Sequence, residues 1–211
     1  YLFLTIFRII KYLFSDTKRY SDILLEVIKN RPKNILEIGI YKGKRSKEII
    51  QAAKIFNNKV QFFGFDLFEM INENTIKDEL SKKPLTEKEI YKNLSKYCDV
   101  KLFKGYSNIT LPKVKNIKMD FIFIDGGHKL STIESDWENC TSLIKRGTII
   151  IFDDYYLDNE ELSRSFGCNG VVEKISDKKF NKKLFYKTDQ FFHQNQHLKI
   201  KLFYLKSQYN G

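Results

Sequence analysis

The stretch Asn34-Ile-Leu-Glu-Ile-Gly39-Ile-Tyr-Lys-Gly43-Lys-Arg-Ser46 decides the fold class of this chain. Its first five residues form a short apolar run, which predicts a buried strand, and the apolar spacing from Ser46 to Phe56 predicts a helix. Glycines between the two let the backbone approach a ligand closely, and the helix N-terminus presents free N–H groups. The stretch therefore predicts a strand, a ligand-binding loop and a helix in direct succession.

Strands and helices alternate along the rest of the chain. Further strands are predicted at 60–65, 100–103, 119–124, 148–152, 183–186 and 199–205, and helices at 16–30, 130–144 and 170–175. This alternation indicates an α/β fold, a Rossmann-like doubly wound sheet that is mostly parallel with helices on both faces.

Aspartates stand where three of the predicted strands end. Asp66 follows the second strand, Asp125 the fourth, and the pair Asp153-Asp154 the fifth. Ligands of such sheets bind beyond the carboxyl ends of the strands. We therefore expect these acids at a ligand site, with Asp125, Asp153 and Asp154 close together because the fourth and fifth strands should be neighbours.

The spacing of the loop excludes two familiar nucleotide sites. A Walker A loop needs four residues between its glycines and a Ser or Thr directly after Gly-Lys, whereas here three residues separate the glycines and Lys44-Arg45 follows. The dinucleotide fingerprint fails because position 41 is Tyr, which makes an NAD-linked oxidoreductase the weakest alternative. What remains is E-x-G-x-x-x-G, followed at Asp66 by an acid suited to ribose hydroxyls.

This pattern resembles motif I of class I adenosylmethionine-dependent methyltransferases. Three further segments are similar to the macrocin-type O-methyltransferases and their relatives: Phe63-Gly-Phe-Asp66-Leu-Phe-Glu69, Phe121-Ile-Phe-Ile-Asp125-Gly-Gly-His128 and Ile149-Ile-Ile-Phe-Asp153-Asp154-Tyr155. The resemblance runs from about Asn34 to Tyr155. It implies a seven-stranded sheet with an antiparallel last strand, adenosylmethionine as the methyl donor, and a divalent metal, usually Mg²⁺.

Carried over by motif, the resemblance implies a set of cofactor residues: Glu37, Gly39, Gly43, Asp66 and Ser107, with Ser107 near the adenine. Ser46, at the helix start that closes the loop, completes the predicted cofactor site. The chain departs from the relatives at two positions. Tyr106 stands where an acidic or amide residue is common, and Leu130 where the relatives usually have Tyr. These departures leave the adenine contacts and some substrate contacts open.

The three acids predict metal-assisted chemistry. Crowded carboxylates raise one another's pKa unless a cation compensates, and oxygen ligands suit Mg²⁺. We therefore expect Asp125, Asp153 and Asp154 to be metal ligands that orient a hydroxyl for attack on the donor methyl group. The resemblance makes Asp125 the base as well, and His128 is the competing base. The alternative is that one Asp caps a helix and another faces solvent.

Residues 1–30 are expected to form a helical segment that packs on or caps a domain at 31–211, in which 67–97 form a helical insertion beside the substrate. Residues 1–14, interrupted by Arg8 and Lys11, are too few to span a membrane. They predict a cap over the site, a homodimer contact or a membrane-surface contact. Asp136 and Trp137 are interpreted as a solvated acid and a packing aromatic.

Composition narrows the class of function. The net charge of +11 raises nucleic acid as a partner, but the lysines are scattered through every segment. No Pro-Pro occurs and none of the three cysteines follows Pro, which disfavours the common base methyltransferases and leaves ribose methylation open. The cysteines form no CxxC pair, which indicates a reducing, cytoplasmic compartment.

Together these features predict an O-methyltransferase acting on a hydroxyl of a sugar or another small molecule. Two alternatives stay open: an RNA ribose methyltransferase, and a Rossmann-like binding protein without catalysis. The sugar rests on analogy with the family alone.

Overall fold

The computed structural model describes residues 19–193 and 196–209, together with Phe7 and Ile10. Its helices are α1 Tyr20–Asn30, α2 Lys44–Ala53, α3 Glu73–Asp78, α4 Glu87–Leu94, α5 Ser107–Thr110, α6 Leu130–Thr141, α7 Glu160–Ser163 and α8 Asn169–Lys174. Its strands are β1 Asn34–Ile38, β2 Gln61–Asp66, β3 Asp99–Lys104, β4 Phe121–Ile124, β5 Ile149–Tyr156, β6 Phe180–Leu184, β7 Asp189–His193 and β8 Gln196–Ser207.

One sheet contains all of these strands, in the order β3-β2-β1-β4-β5-β8-β6. Strands β1 to β5 are mutually parallel and β8 is antiparallel to β5, which confirms the predicted fold class. Strand order reverses between β1 and β4, so their carboxyl ends frame the crevice in which doubly wound sheets bind ligands.

Strand β7 was not predicted, and it brings the described strands to eight where the resemblance implies seven. It pairs with residues 196–200 of β8, on the side opposite β5, while β6 pairs with residues 203–207 on that same side. The strand covers backbone groups that the first half of β8 would otherwise leave at an open edge. Its partner is the segment that directly follows it in the chain, with Asp189 opposite Ile200 and His193 opposite Gln196.

Side chains of the central strands alternate between two hydrophobic layers. Phe121 and Phe123 of β4 face one layer, whereas Ile122 and Ile124 face the other, and β5 alternates in the same way. Both faces of the sheet are covered by apolar contacts, which explains why these strands appear in the sequence as continuous apolar runs.

Helix α1 packs its apolar side, including Ile23, Leu24 and Val27, into the same layer as α2. This packing brings the start of α1 to the carboxyl end of β5. Before residue 19 only Phe7 and Ile10 are described, so most of the predicted N-terminal segment lies outside the described residues. No described helix is both long and apolar enough to cross a bilayer.

The segment 67–97 contains a short 3-10 turn at Phe68–Met70 followed by α3 and α4. Helix α4 begins with a capping box, in which the Thr86 side chain and the Glu89 side chain each accept from the other residue's backbone N–H. Residues of this segment before α4, among them Thr75 and Glu79, line the large cleft described below.

Candidate active site

A cleft of about 1010 Å³ lies beyond the carboxyl ends of the central strands. This volume is at the upper end of the range typical for small-molecule sites. Seven of the predicted site residues line it: Gly39, Asp66, Ser107, Asp125, His128, Asp153 and Asp154. Glu37, Gly43 and Ser46 do not line it and are buried.

The glycine loop, residues 39–43, is shaped by close backbone contact with the end of β4. Gly39 has φ +87°, and a Cβ there would stand 1.8 Å from the carbonyl oxygen of Asp125. Neither the conformation nor the space allows a side chain. Gly39 thereby lets the loop lie directly against the segment that carries Asp125.

Asp66 ties the glycine loop to β2. Its Oδ2 accepts hydrogen bonds from the backbone N–H groups of Ile40 and Tyr41 at 2.8 and 2.9 Å, and its Oδ1 accepts from Phe68 N at 2.8 Å. A carboxylate offers about four lone-pair positions, so Oδ1 retains capacity for a ligand. Besides the predicted ribose contact, Asp66 therefore organises the loop.

Glu37 is fully buried beneath the glycine loop, and neither of its carboxylate oxygens has a hydrogen-bond partner among the described residues. Burial raises the pKa of Glu37 to about 8. A buried polar group without a partner requires an explanation in a native fold. Since Glu37 does not line the cleft, the groups within its reach are the buried Ser46 hydroxyl and a bound water.

Asp136 on α6 is a second unpartnered acid, and its interpretation as a solvated residue is wrong. Its side chain lines the cleft and is only 1% exposed, and both oxygens lack a hydrogen-bond partner among the described residues. Burial raises its pKa to about 7, and the neighbouring Ser107 side chain only partly opposes this effect. The signal was its spacing, since Asp136 lies between Ile133 and Cys140 on the buried face of the helix. Trp137 does pack against aromatic rings, as predicted.

The acid cluster consists of Asp125, Asp153 and Asp154, which line the cleft beside the glycine loop. Consecutive strand residues normally point to opposite faces, but Asp154 has φ +55° and the pairing of β5 with β8 shifts register there. This irregularity turns both side chains into the cleft. Asp153 and Asp154 are buried, so the alternative in which one of them faces solvent does not hold.

Arg19 and Tyr20, at the start of α1, supply the partners of this cluster. Arg19 Nη2 lies 2.7 Å from Asp153 Oδ2 and 3.4 Å from Asp154 Oδ1. The Tyr20 hydroxyl donates to Asp153 Oδ2 at 2.7 Å, and the Asp154 backbone N–H donates to Asp153 Oδ1 at 2.7 Å. Sequence reasoning missed both residues because they belong to no motif and lie more than 130 positions from these acids.

The three carboxyl groups differ in their affinity for protons. Burial favours the neutral form of Asp153, but the charge of Arg19 and the hydrogen bonds outweigh it, so its pKa is lowered. Burial, together with the charges of Asp153 and Asp154, holds the pKa of Asp125 well above its usual range. Burial and Asp153 raise the pKa of Asp154 to about 6. The net negative charge of the cluster is therefore small, because its acids retain protons and the Arg19 guanidinium compensates the ionised Asp153.

His128 is held at both ring nitrogens. Nδ1 lies 2.6 Å from the carbonyl oxygen of Glu79, and Nε2 lies 3.2 Å from Asp154 Oδ2. A carbonyl oxygen only accepts, so Nδ1 carries the proton. With neither nitrogen free, His128 orients Asp154 and Glu79 in this arrangement.

A divalent metal fits this arrangement poorly. Within the described ranges, no group of three or more His, Cys, Asp or Glu side chains has a geometry that could hold an ion. Both oxygens of Asp153 already accept hydrogen bonds, and the Arg19 guanidinium lies against Asp154. The cation that the sequence led us to expect beside these acids is supplied here by an arginine.

Comparison with solved structures supports the fold. The chain is similar to the O-methyltransferase TomG from Streptomyces achromogenes, whose structure contains SAM, at 13% identity and a TM-score of 0.58, over 88% of this chain and 78% of that one. It is similar to an O-methyltransferase from Bacillus cereus in complex with SAH at 16% and 0.58, over 92% and 82%. An rRNA methylase from Streptococcus thermophilus gives 15% and 0.54, over 88% and 92%.

Sequence comparison identifies the family. No curated protein matches the chain. Residues 36–155 match the family described as a methyltransferase domain, and they include the glycine loop, Asp66 and the whole acid cluster. Since this match spans more than half of the sequence, the chain belongs to the methyltransferase domain family.

Proposed function

We propose that this protein is an S-adenosylmethionine-dependent O-methyltransferase that acts on a hydroxyl group of a small molecule. The observation that carries the proposal is one continuous cleft that is lined by the glycine loop, by Asp66 and by the acid cluster. We call the part at the loop, Asp66 and Asp136 the donor end, and the part at the acid cluster the acceptor end. Family membership supports methyl transfer, and the TomG and Bacillus cereus structures support this donor by analogy of fold.

The donor end offers suitable partners for each part of the cofactor. In this proposal Asp66 Oδ1 accepts from a ribose hydroxyl, and the glycine loop lies against the methionine part above Glu37. Ser107 and Asp136 face the adenine. Asp136 supplies the acidic acceptor that Tyr106, 52% exposed, does not offer.

The acid cluster is assigned to the acceptor. A hydroxyl oxygen attacks the sulfonium methyl in line, the carbon–sulfur bond breaks, and a methyl ether and S-adenosylhomocysteine result. The hydroxyl proton passes to Asp125 after this carboxyl has released its own proton to solvent, and its raised pKa then makes it a stronger base. His128 positions Asp154 instead of taking the proton, because both of its ring nitrogens are engaged.

A sugar, or another small molecule with neighbouring hydroxyls, is the proposed acceptor. Glu79, Asp125 and Asp154 line the cleft, and their carboxylates retain lone pairs to which adjacent hydroxyl groups can donate. The macrocin-type resemblance supports the same class. Metal assistance, which that resemblance implies, would require Arg19 to leave the acids.

Isothermal titration calorimetry of the full chain with S-adenosylmethionine and S-adenosylhomocysteine tests the donor, with NAD as the control ligand. We expect binding of one donor molecule per chain and no heat from NAD. A methyl-transfer screen against sugars and phenols then tests the acceptor. Absence of affinity for both adenosyl compounds would refute the proposed function.

The same assays separate the two alternatives. Donor binding without transfer to any acceptor would favour a non-catalytic binding protein. An RNA oligonucleotide belongs in the screen, because the charge of +11 leaves ribose methylation open. RNA binding that weakens steeply with salt, together with transfer to RNA, would favour that enzyme class.

A further inference from the structure

We propose that Arg19 is the resident cation of the acid cluster, held there by Tyr20, and that it takes the place a divalent metal would otherwise occupy. The consequence for catalysis, methyl transfer without a metal requirement, rests on the proposed function. The exclusion of a metal by Arg19 rests on geometry and is testable separately.

The placement of Arg19 is that of a structural counter-charge. Its guanidinium contacts Asp153 and Asp154, its Nε lies 3.8 Å from Asp189 Oδ2, and the residue is only 7% exposed. A buried guanidinium without acidic partners would be strongly unfavourable, and the same holds for buried carboxylates without a cation. Arg19 and the acids therefore compensate one another's charge, although Arg19 Nε has no hydrogen-bond partner among the described residues.

Tyr20 fixes this arrangement from several elements at once. Its ring lies edge-on to Phe123 at 6.4 Å, and the Arg45 guanidinium of α2 lies 3.9 Å from its centroid. Its hydroxyl donates to Asp153 Oδ2, the oxygen that Arg19 also contacts. The pair is thus positioned by β4, by α2 and by the acid cluster, in addition to α1.

A metal and Arg19 compete for the same oxygens. Magnesium in proteins typically uses one or two carboxylates together with water, and it needs lone pairs directed at the ion. Those of Asp153 are directed at Arg19, Tyr20 and the Asp154 backbone N–H. A dication here would also lie within a few ångströms of a fixed positive charge, which repels it at short range.

The test is Mn²⁺ binding by the full chain, measured through the electron paramagnetic resonance signal of the free ion. We expect wild type to show no specific site, and Arg19→Ala to gain a site that binds Mn²⁺ at least about tenfold more tightly, because carboxylate oxygens become available. Arg19→Lys keeps the charge and should stay without a site. Arg31→Ala is the matched control, because Arg31 lies over the Phe56 ring instead of the acids.

Wild type that binds one Mn²⁺ per chain, with binding lost in Asp153→Asn, would overturn the proposal. So would an Arg19→Ala protein that folds but gains no affinity for the ion. Circular dichroism checks folding, and Arg19→Gln, which keeps much of the volume, replaces Arg19→Ala if that variant does not fold.

Activity gives a second readout. Transfer by wild type should be unchanged after treatment with EDTA and should not rise with added Mg²⁺, whereas a loss in EDTA restored by Mg²⁺ would contradict the assignment. Calorimetry with S-adenosylhomocysteine is run on the same samples. Failure of donor binding would count against the proposed function, while the Mn²⁺ result still decides the role of Arg19.

Discussion

Under the proposed function, the donor end and the acceptor end satisfy their acids in opposite ways. At the donor end, Asp66 is bound by backbone N–H groups, and Glu37 and Asp136 have no hydrogen-bond partner among the described residues. At the acceptor end, Asp153 and Asp154 are paired with side chains from other elements. The donor end thus retains an unpartnered acid in the lining of the cleft, Asp136, that a ligand can satisfy, whereas two acids of the acceptor end are paired before any ligand arrives.

This difference has a consequence for how each end works. Unpartnered carboxyl groups are destabilising in the free protein, and binding of a polar ligand removes that cost. A closed ion cluster contributes orientation and a defined protonation pattern instead. We therefore expect substitutions at the donor end to change ligand affinity and stability, and substitutions at the acceptor end to change turnover.

The largest effect is expected for Asp125→Asn. Loss of the base should lower methyl transfer by about 10²–10⁴-fold, while the affinity for S-adenosylhomocysteine changes little, since the donor end is intact. Turnover assays and calorimetry measure the two quantities. Asp158→Asn, at an exposed acid paired with Lys199, is the control and should keep full activity. An Asp125→Asn enzyme with normal turnover would exclude Asp125 as the base.

The next effect is the cost of a methyl group at Gly39. Gly39 and Gly147 have nearly the same φ, +87° and +88°, but a Cβ on Gly147 would meet nothing within 4 Å. Gly147→Ala should cost about 1–2 kcal/mol from backbone strain alone. Gly39→Ala should cost more than about 4 kcal/mol or prevent folding, because of the added clash with Asp125. Urea denaturation measures both, and equal costs would show that the loop can move away from β4.

Asp136→Asn should stabilise the free protein at neutral and alkaline pH. A carboxyl with a pKa of about 7 in the folded state, against an ordinary 3.8, makes stability fall as pH rises between those values. The substitution should remove this dependence and add up to about 4 kcal/mol above pH 7. Urea denaturation at pH 4, 6 and 8 measures it, with Asp158→Asn as the control. If the difference in free energy of unfolding between wild type and Asp136→Asn stayed constant over this pH range, the assignment would be contradicted.

The same variant tests adenine recognition. Wild type should prefer S-adenosylhomocysteine to S-inosylhomocysteine, in which an oxygen replaces the adenine amino group, and Asp136→Asn should reduce this preference by about tenfold, the value of one charged hydrogen bond. Competition calorimetry gives the ratio. An unchanged preference would remove Asp136 from the adenine site and leave donor binding itself unaffected.

The smallest effect is expected for His128→Asn. The Asn amide can still donate to the Glu79 carbonyl, so the position of Glu79 should be retained. Loss of the contact to Asp154 should lower turnover by about tenfold, as for other orienting residues. A loss comparable to that of Asp125→Asn would instead identify His128 as the base. The two variants together decide between the candidates that the sequence left open.

Local patterns predicted the loop and the strand ends that line the cleft, although Glu37, Gly43 and Ser46 lie outside its lining. The apolar run of β1, the glycines after it and the aspartates after β2, β4 and β5 are short-range features, and parallel strands necessarily bring their carboxyl ends to one edge. Burial of Asp136 was also readable from its helical spacing, although the interpretation did not use it. These features depend on which residues are neighbours along the chain and on the period of a strand or helix.

Composition and motif order were thus sufficient for the fold class, for the cleft and for the convergence of Asp125, Asp153 and Asp154. Tertiary structure alone decided what neutralises those acids, because Arg19 reaches them only after α1 packs beside α2 and places its first residues at the end of β5. Electrostatic pairing depends on distance in space, and a contact between positions 134 apart leaves no periodic trace in the sequence.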